Sequence, residues 1–552
     1  MKEHVKRIIL AIVSVCLVIL LVCAEFKSEN VIRETKLFFV VGNEVISTWE
    51  KDGVQYLFLP SFAKETEVVL APYSPEFYVL HQKKKISTGE SIEGILKNKI
   101  TACQMLKTGE KFELCIMQSE NVPTLFIDTR SGGLGKIKEN KEHMVAGTVK
   151  TVSSDGKWES GIAMKSIGGR GNTSFAGYDK KPYSIILKEE VSLLGLPKGE
   201  KYALISNASD PSLVRNDIVR RMEMALELRF SGQGQFVDLY INGEYEGNYY
   251  LCHSMDVGED RIDIADMEAM VDLIYKHRNY EAEEVYENGS VKARKITVNP
   301  QDITGGYLIE REYVQRFEYE YGDIDSAFIT DEEEHFVVKS PRYCSVEQIH
   351  YIYDYVNEAE KAIFSKDGKN PSTGKYYRDY IDVDSFVKKY LVEEVSKNYD
   401  AGVSSSFYYK DRDTNGGKLC AAPGWDYDMS LGNYVEWMEE FSSDPTGISE
   451  LAFHTYASPW HTALYQKEDY YALVETYYWQ YLEPFLQNMI DCGIMEYKRE
   501  LEASSAMNEI RWQEELLENP YYKNRDQEFA DLLDFVSARK AYLDQAWTMK
   551  KQ

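Results

Sequence analysis

The sequence predicts an α+β protein, because strand-like and helix-like segments occupy different parts of the chain. Short runs of alternating apolar residues dominate up to about residue 340, and a longer helical periodicity begins after Ser345. The length of 552 residues exceeds an average domain, which predicts a large domain with an accessory one. A composition of 44% hydrophobic and 13% aromatic residues is typical of a packed globular body and excludes a disordered polymer.

The N-terminus has the charge order of an export signal. An apolar run at residues 8–24 follows Lys2, Lys6 and Arg7, which predicts a signal peptide or signal anchor over residues 1–27. At about 17 residues, the run is just long enough to span a bilayer core of ~30 Å. An anchor is favoured because no small-x-small cleavage site is evident, and lipidation at Cys23 is disfavoured by the large residues before it. We expect the chain after Glu25 to lie outside the cytoplasm.

Net charge and cysteine usage exclude several classes of partner and cofactor. The formal net charge of -27 disfavours a nucleic acid, whose phosphates need a basic surface, and favours basic proteins. The cysteines outside the apolar run are scattered, so the sequence offers no zinc motif. Cys103 and Cys115 are predicted either to bridge a hairpin or to be buried thiols in strands, and both alternatives stay open.

Turn-rich segments divide the predicted chain into domains. Strand-like runs separated by turns predict a β-rich accessory domain over residues 28–135. A glycine-rich break follows, which places the boundary between Thr129 and Met144, although the first 125 residues could also pack with the core as one unit. We predict a core domain over residues 145–490 and a helical C-terminal tail over residues 491–552.

Local patterns predict the elements of the core. Asn242-Gly243 between alternating runs is a strong hairpin signal. A helix is expected to open near Ser212, where Asp210 and Arg215-Asn216-Asp217 are interpreted as helix capping and buried ion pairs. Further helices are predicted at 346–362 and at 383–396, the second with an acidic start. A helical stretch is also expected from about Glu468 to Lys550, with a core stripe of Tyr470, Leu473, Tyr477, Tyr481 and Phe485.

Two acidic motifs carry the strongest chemical signal. Asp426 and Asp428 lie one residue apart in Gly-Trp-Asp-Tyr-Asp, and Asp400 lies upstream in Asn-Tyr-Asp. Paired carboxylates beside a glycine turn suit Mg²⁺, which prefers hard oxygen ligands at short distances. A separate aspartate could then act as a base, which is the arrangement that phosphoryl transfer uses.

The sequence resembles the spore-coat CotH kinase family, and its motifs follow the order of that family. The resemblance covers roughly residues 160–480 and rests on six landmarks: Gly168 to Ser174, Lys180 to Tyr183, Val237 to Tyr249, Gly305 to Glu310, Lys339 to Pro341, and the block around Trp425. It implies a two-lobed, atypical protein-kinase-like core that uses ATP with Mg²⁺ or Mn²⁺. It also implies phosphate transfer to Ser or Thr of secreted, envelope or spore-coat proteins.

The glycine turn and the following lysines are the candidate nucleotide clamp. A glycine turn lets the backbone approach phosphate oxygens, to which Arg170, Asn172 and Ser174 can donate. Lys181 alternates with the apolar residues of the next strand and is the predicted phosphate partner, with Lys180 as the alternate. Glu310 is a further candidate, as a carboxylate at a strand end that could pair with Lys181.

By analogy with the family, Asp400 is the catalytic aspartate, and Asp426 and Asp428 are the metal ligands. The chain departs from the family at two places. Ser405 stands near the position of an expected metal-binding Asn and is the candidate metal ligand there, although a serine hydroxyl binds Mg²⁺ more weakly than an amide oxygen. Cys252-His253-Ser254 replaces an expected Glu. These departures motivate the alternative function, a catalytically weak coat or envelope scaffold that keeps the kinase fold as a binding module.

Overall fold

The computed structural model describes residues 36–130, 134–232, 234–274, 284–287, 290–294, 299–320, 322, 324–401, 404–433, 444–448, 459–519 and 522–548. The chain divides into two compact units, Met1–Gly168 with Asp238–Gly247, and Gly169–Val237 with Asn248–Gln552. The domain limits predicted from the sequence stay predictions, and the predicted anchor at residues 8–24 lies outside the described residues. In the described part of the chain, no helix is both long enough and apolar enough to cross a bilayer.

The first unit is rich in strands, as the sequence predicts. Its first nine strands are β1 Phe38–Val41, β2 Glu44–Ser47, β3 Trp49–Lys51, β4 Val54–Leu59, β5 Val69–Leu70, β6 Phe77–Val79, β7 Lys84–Ile86, β8 Ile100–Met105 and β9 Lys111–Gln118. They form a three-stranded sheet in the order β2-β1-β5 and a six-stranded sheet in the order β3-β4-β9-β8-β6-β7. Cys103 and Cys115 are free, buried thiols on β8 and β9, which favours the second of the two predicted alternatives.

The next seven strands form a closed barrel in the order β10-β11-β12-β13-β14-β16-β15. Their bounds are β10 Thr124–Thr129, β11 Val145–Val152, β12 Trp158–Gly169, β13 Tyr183–Val191, β14 Gly199–Ile205, β15 Gln235–Ile241 and β16 Glu244–His253. The predicted hairpin joins β15 to β16. Asn242 and Gly243 both have positive φ, 51° and 79°, as a two-residue turn between twisted strands requires.

A seven-stranded sheet in the second unit has the order β17-β18-β20-β21-β19-β22-β23. Its strands are β17 Glu284–Glu287, β18 Val291–Arg294, β19 Tyr307–Glu312, β20 Ala327–Ile329, β21 His335–Ser340, β22 Ser406–Lys410 and β23 Leu419–Ala421. Strand β19 lies between β21 and β22, with Glu310 opposite Phe407 of β22. This register carries the end of β19 close to the segment that follows Asp400.

The helices as far as Ser396 lie between consecutive strands along the chain. They are α1 Leu134–Glu139, α2 Thr173–Gly177, α3 Arg215–Ala225, α4 Met267–Ile274, α5 Val314–Glu320, α6 Val346–Phe364, α7 Tyr377–Tyr380 and α8 Val383–Ser396. Helix α6 opens with a capping box between Ser345 and Gln348. Helix α8 has the predicted bounds: the Asp382 side chain caps its start, and Lys397 ends it with a left-handed φ of 49°.

The C-terminal part is helical, as predicted, but its core stripe is different from the predicted one. The helices are α9 Pro459–Tyr465, α10 Glu468–Tyr477, α11 Glu483–Asn488, α12 Ile494–Glu500, α13 Glu502–Arg511, α14 Gln513–Glu518 and α15 Arg525–Ala546. Two π-helical turns, Tyr478–Leu482 and Met489–Gly493, interrupt the series. The residues that are buried are Tyr470, Val474, Tyr478, Leu482 and Leu486.

The predicted stripe was therefore wrong after Tyr470, because four of its five members are only half-buried. Residues spaced four apart move gradually around a regular helix, because one turn contains only 3.6 residues. A wider π turn offsets that drift and keeps such a stripe on one face. The sequence gives no local signal for these π turns.

Candidate active site

The Gly-Trp-Asp-Tyr-Asp loop is anchored by the helices beneath it. The backbone N–H of Tyr427 donates to Asn216 Oδ1 of α3 at 2.9 Å, and that of Gly424 donates to Glu223 of the same helix. The buried hydroxyl of Tyr427 donates to Glu393 of α8 at 2.9 Å. A Cβ atom at Gly424 would lie 1.6 Å from the Tyr427 hydroxyl, so this turn requires glycine.

Because Tyr427 occupies the core side, Asp426 and Asp428 are left in half-buried positions of the same loop. Asp426 has a left-handed φ of 70°. Asp428 accepts a hydrogen bond from the Ser209 hydroxyl. Burial, followed by the charge of Asp426, raises the pKa of Asp428 to about 7.

Asp400 belongs to the same electrostatic site. Burial, followed by the charge of Asp426, raises the pKa of Asp400 to about 6, and Arg316 acts in the opposite direction. Asp400 in turn contributes to the raised pKa of Asp428. The structure therefore brings the three predicted aspartates into one mutually repelling group.

Backbone hydrogen bonds hold the two acidic loops together. After α8 ends, the N–H of Tyr399 donates to Met429 O at 3.2 Å, and the N–H of Leu431 donates to Ser396 O at 2.7 Å. Asn398 bridges the turn, since its amide donates to Glu393 at 3.0 Å and its oxygen accepts from the N–H of Asp400 at 3.3 Å. The separation of the aspartates is thus set by the main chain.

The donor set suits a metal ion that arrives with phosphates. Among the described residues, no group of three or more His, Cys, Asp or Glu side chains is placed to hold a metal ion. Mg²⁺ is usually held by one or two carboxylates, with phosphate oxygens and water filling its other positions. Asp426 fits this use, because no donor within the described ranges hydrogen-bonds its carboxylate.

The predicted role of Ser405 as a metal ligand stays a prediction. Ser405 is half-buried and has a left-handed φ of 53°. The neighbouring Ser404 is engaged elsewhere: its hydroxyl accepts a hydrogen bond from Arg316 at 2.7 Å.

The glycine turn provides a cation beside the Gly-Trp-Asp-Tyr-Asp loop. The guanidinium carbon of Arg170 lies 4.7 Å from the ring centroid of Trp425, next to Asp426. Gly171 has a φ of 75°, and a Cβ there would lie 2.3 Å from Ser174 Oγ, so the serine hydroxyl folds back over the turn. Asn172 donates to Glu320 at 2.5 Å. This part of the predicted clamp therefore adjoins the carboxylates.

The two candidate lysines have different surroundings. Lys180 is only 1% exposed, donates to Asn248 O at 2.7 Å and lies 5.0 Å from the centroid of the Tyr249 ring. Lys181 is half-buried and donates to Phe175 O at 2.7 Å. The structure thus buries the residue that the sequence ranks second, and the choice of phosphate partner stays a prediction.

Glu310 pairs with a different lysine from the one suggested by the sequence. Its carboxylate lies 2.9 Å from Lys339 Nζ on the adjacent strand β21, which corrects the suggested pairing with Lys181. Two positions further along β19, Glu312 is also buried, and burial together with Glu310 raises its pKa to about 8. Sequence reasoning missed Glu312 and Arg316, although a Glu followed by an Arg four residues later at a helix start is a recognisable signal.

The ion-pair interpretation of the Asp210 region is confirmed, whereas the N-cap residue of α3 is Val214, whose side chain makes no capping hydrogen bond. Asp210 accepts from the N–H groups of Ser212 and Arg215, both at 3.0 Å, and forms a buried ion pair with the Arg215 guanidinium. Arg215 also pairs with Glu528 of α15 at 2.8 Å. The adjacent Asn216 has a second role, because it accepts the hydrogen bond from the N–H of Tyr427 that fixes the backbone of the Gly-Trp-Asp-Tyr-Asp loop.

Cys252 is the first of the residues 252–254 that depart from the family pattern, and it contacts Arg220. Arg220 Nη2 donates to the Sγ atom of buried Cys252 at 3.5 Å, and the Arg220 guanidinium lies 5.6 Å from the Trp425 ring centroid. Burial raises the pKa of Cys252, whereas Arg220 and Arg170 lower it. The imidazole of His253 instead contacts Pro197 O at 2.8 Å.

Comparison with known proteins identifies the family. The family model described as CotH kinase protein matches residues 167–543, which is more than half of the chain. The chain therefore belongs to the CotH kinase family, and the resemblance predicted from its motifs is confirmed. The match includes all the candidate site residues and continues through most of the C-terminal helices. No curated protein gives a significant match to the chain.

Proposed function

We propose that this protein is an exported, atypical protein kinase of two-lobed architecture that transfers a phosphoryl group from ATP to Ser or Thr of other proteins. The observation that carries the proposal is the shared electrostatic site of Asp400, Asp426 and Asp428. Membership of the CotH kinase family supports the same chemistry. Phosphoryl transfer depends on positioning and charge neutralisation, and this site offers groups for both.

ATP and Mg²⁺, or Mn²⁺, are the proposed cofactors. Asp426 and Asp428 would hold the metal ion, with Ser405 as a weaker ligand, and the ion would neutralise phosphate charge. Arg170, Asn172 and Ser174 would donate to the phosphates. Lys180 or Lys181 would supply a further point charge, and Glu310 would act through the Lys339 ion pair that it forms.

Asp400 is the proposed base. A carboxyl group with a pKa near 6 is mostly ionised at neutral pH and is still basic enough to accept a hydroxyl proton. Backbone hydrogen bonds fix its loop to the loop of Asp426 and Asp428, so the proposed base and the proposed metal ligands are held close to one another.

The second candidate function is a catalytically weak scaffold of the spore coat or cell envelope. The replacement of the family's expected Asn and Glu by Ser405 and Cys252-His253-Ser254 favours it. A scaffold would bind partner proteins without phosphate transfer, so a transfer assay separates the two functions.

The main test is radiolabel transfer from ATP, with Mg²⁺, to paired Ser/Thr peptides flanked by lysines or by glutamates. We expect faster transfer to the lysine-flanked peptides, because the net charge of -27 attracts cations, and we expect added salt to reduce this advantage. The Asp426→Ala variant is the negative control. Equal rates on both peptides would remove the basic-acceptor preference, and no transfer to any acceptor would favour the scaffold.

Substitution Asp426→Asn tests the metal site. Ligand that binds only the folded state stabilises it by about 2.7 kcal/mol at 100 times its Kd. We expect ATP with Mg²⁺ to raise the melting temperature of the wild type and not that of the variant. Asp354→Asn, an exposed aspartate on α6, is the matched control and should respond as the wild type does. Equal shifts in all three proteins would exclude Asp426 from the site.

Substitution Asp400→Asn separates catalysis from binding. The variant should keep the thermal shift with ATP and lose about 10²–10⁴-fold in transfer rate, the range for general bases. In the wild type, the rate should fall as the pH decreases through about 6, because the raised pKa makes the neutral carboxyl dominant below that value. Loss of nucleotide binding in the variant, or a constant rate down to pH 5, would contradict this role.

The proposed location has its own test. Because positive charges precede the apolar run at residues 8–24, the domain should lie outside the cytoplasmic membrane and be anchored to it. Protease added to intact expressing cells should digest the domain and leave a cytoplasmic marker protein whole. Digestion that requires permeabilised cells would contradict the outward orientation.

A further inference from the structure

Helix α5 follows directly after β19 and places Arg316 between two parts of the site. We propose that Arg316 is a positioning residue that fixes the Asp400 loop and the Asn172 turn in their working geometry. The inference rests on the proposed kinase function and adds a residue that lies outside every motif discussed above.

A first set of hydrogen bonds links Arg316 to Asp400. Arg316 Nη1 donates to the Ser404 hydroxyl at 2.7 Å, and the backbone N–H of Ser404 donates to the carbonyl oxygen of Asp400 at 3.2 Å. The guanidinium therefore holds Ser404, whose backbone is hydrogen-bonded directly to Asp400. It is also the cation that offsets the charges of Asp426 and Glu393 at Asp400.

A second set of contacts links Arg316 to Asn172 of the glycine turn. Arg316 Nε lies 3.4 Å from Glu320 Oε1, one turn along α5, and the same carboxylate oxygen accepts from the Asn172 amide at 2.5 Å. Asn172 is one of the candidate phosphate donors. The orientation of its side chain is thus linked to Arg316 through Glu320.

Glu312 explains why an arginine is needed at this position. Arg316 Nη1 lies 3.2 Å from Glu312 Oε1, whereas Glu312 Oε2 is buried without a hydrogen-bond partner in the described ranges. Glu312 and Glu320 would repel each other without the intervening cation. The planar guanidinium can serve Glu312, Glu320 and Ser404 together, which the single ammonium of a lysine cannot do in the same geometry.

The test compares kinetic constants for single and double variants of the full chain. Arg316→Met should lower kcat by about 10- to 100-fold, as expected for misplaced catalytic groups, and Arg316→Lys should recover part of the loss. Ser404→Ala should lower kcat with little change in the KM for ATP. Glu320→Ala should raise the KM for ATP more than it lowers kcat, because it releases Asn172 while Arg316 keeps its contacts with Glu312 and Ser404.

The double variant Arg316→Met/Ser404→Ala supplies the decisive comparison. If Arg316 acts through Ser404, the double variant should be no slower than Arg316→Met alone, because non-additivity identifies residues that act as a unit. Arg499→Met, at an exposed position of α12, should retain wild-type kinetics. Should Arg316→Met fail to fold, as a melting curve would show, Arg316→Lys replaces it in the same cycle.

Two results would overturn the inference while leaving the proposed function intact: unchanged kcat in the Arg316 variants, or additive losses in the double variant. Absence of transfer by the wild type on every acceptor would overturn the proposed function, and this inference with it.

Discussion

The repulsion among Asp400, Asp426 and Asp428 is the constraint on which the rest of the site depends. Burial, followed by the charge of Asp426, raises the pKa of Asp400 to about 6 and that of Asp428 to about 7. The arrangement persists because main-chain hydrogen bonds join the two loops. Repulsion of this kind makes a site that gains stability when a divalent cation joins it.

The frame that opposes this repulsion is a buried polar network beneath the Gly-Trp-Asp-Tyr-Asp loop. Lys389 lies 2.6 Å from Glu393, and both contact the Tyr427 hydroxyl. Glu223 accepts from the N–H of Gly424, and its burial raises its pKa to about 7. Because each of these groups is buried, a small shift of the loop would leave charged or polar atoms without partners. The network therefore opposes displacement of the loop.

The sequence predicted the features that depend on local spacing. Patterns within a few residues predicted the bounds of α8, the Asn242-Gly243 hairpin and the ion pair between Asp210 and Arg215. Contacts between distant residues could not be predicted in this way: the Glu310 partner is a lysine on a neighbouring strand, and Arg316 meets Ser404 across 88 positions. Lys180 is buried because its side of the chain, at the entrance to β13, faces the core. Two adjacent lysines in a sequence do not reveal which of them faces the core.

The central claim is that the metal ion binds with the nucleotide, because the carboxylates alone do not complete a cage. A titration of Mn²⁺ followed by electron paramagnetic resonance, with and without a non-hydrolysable ATP analogue, tests it directly. The account predicts weak Mn²⁺ binding by the protein alone and much tighter binding once the analogue is present, beyond its own affinity for the ion. Tight binding that the analogue does not change, or no binding under either condition, would contradict it.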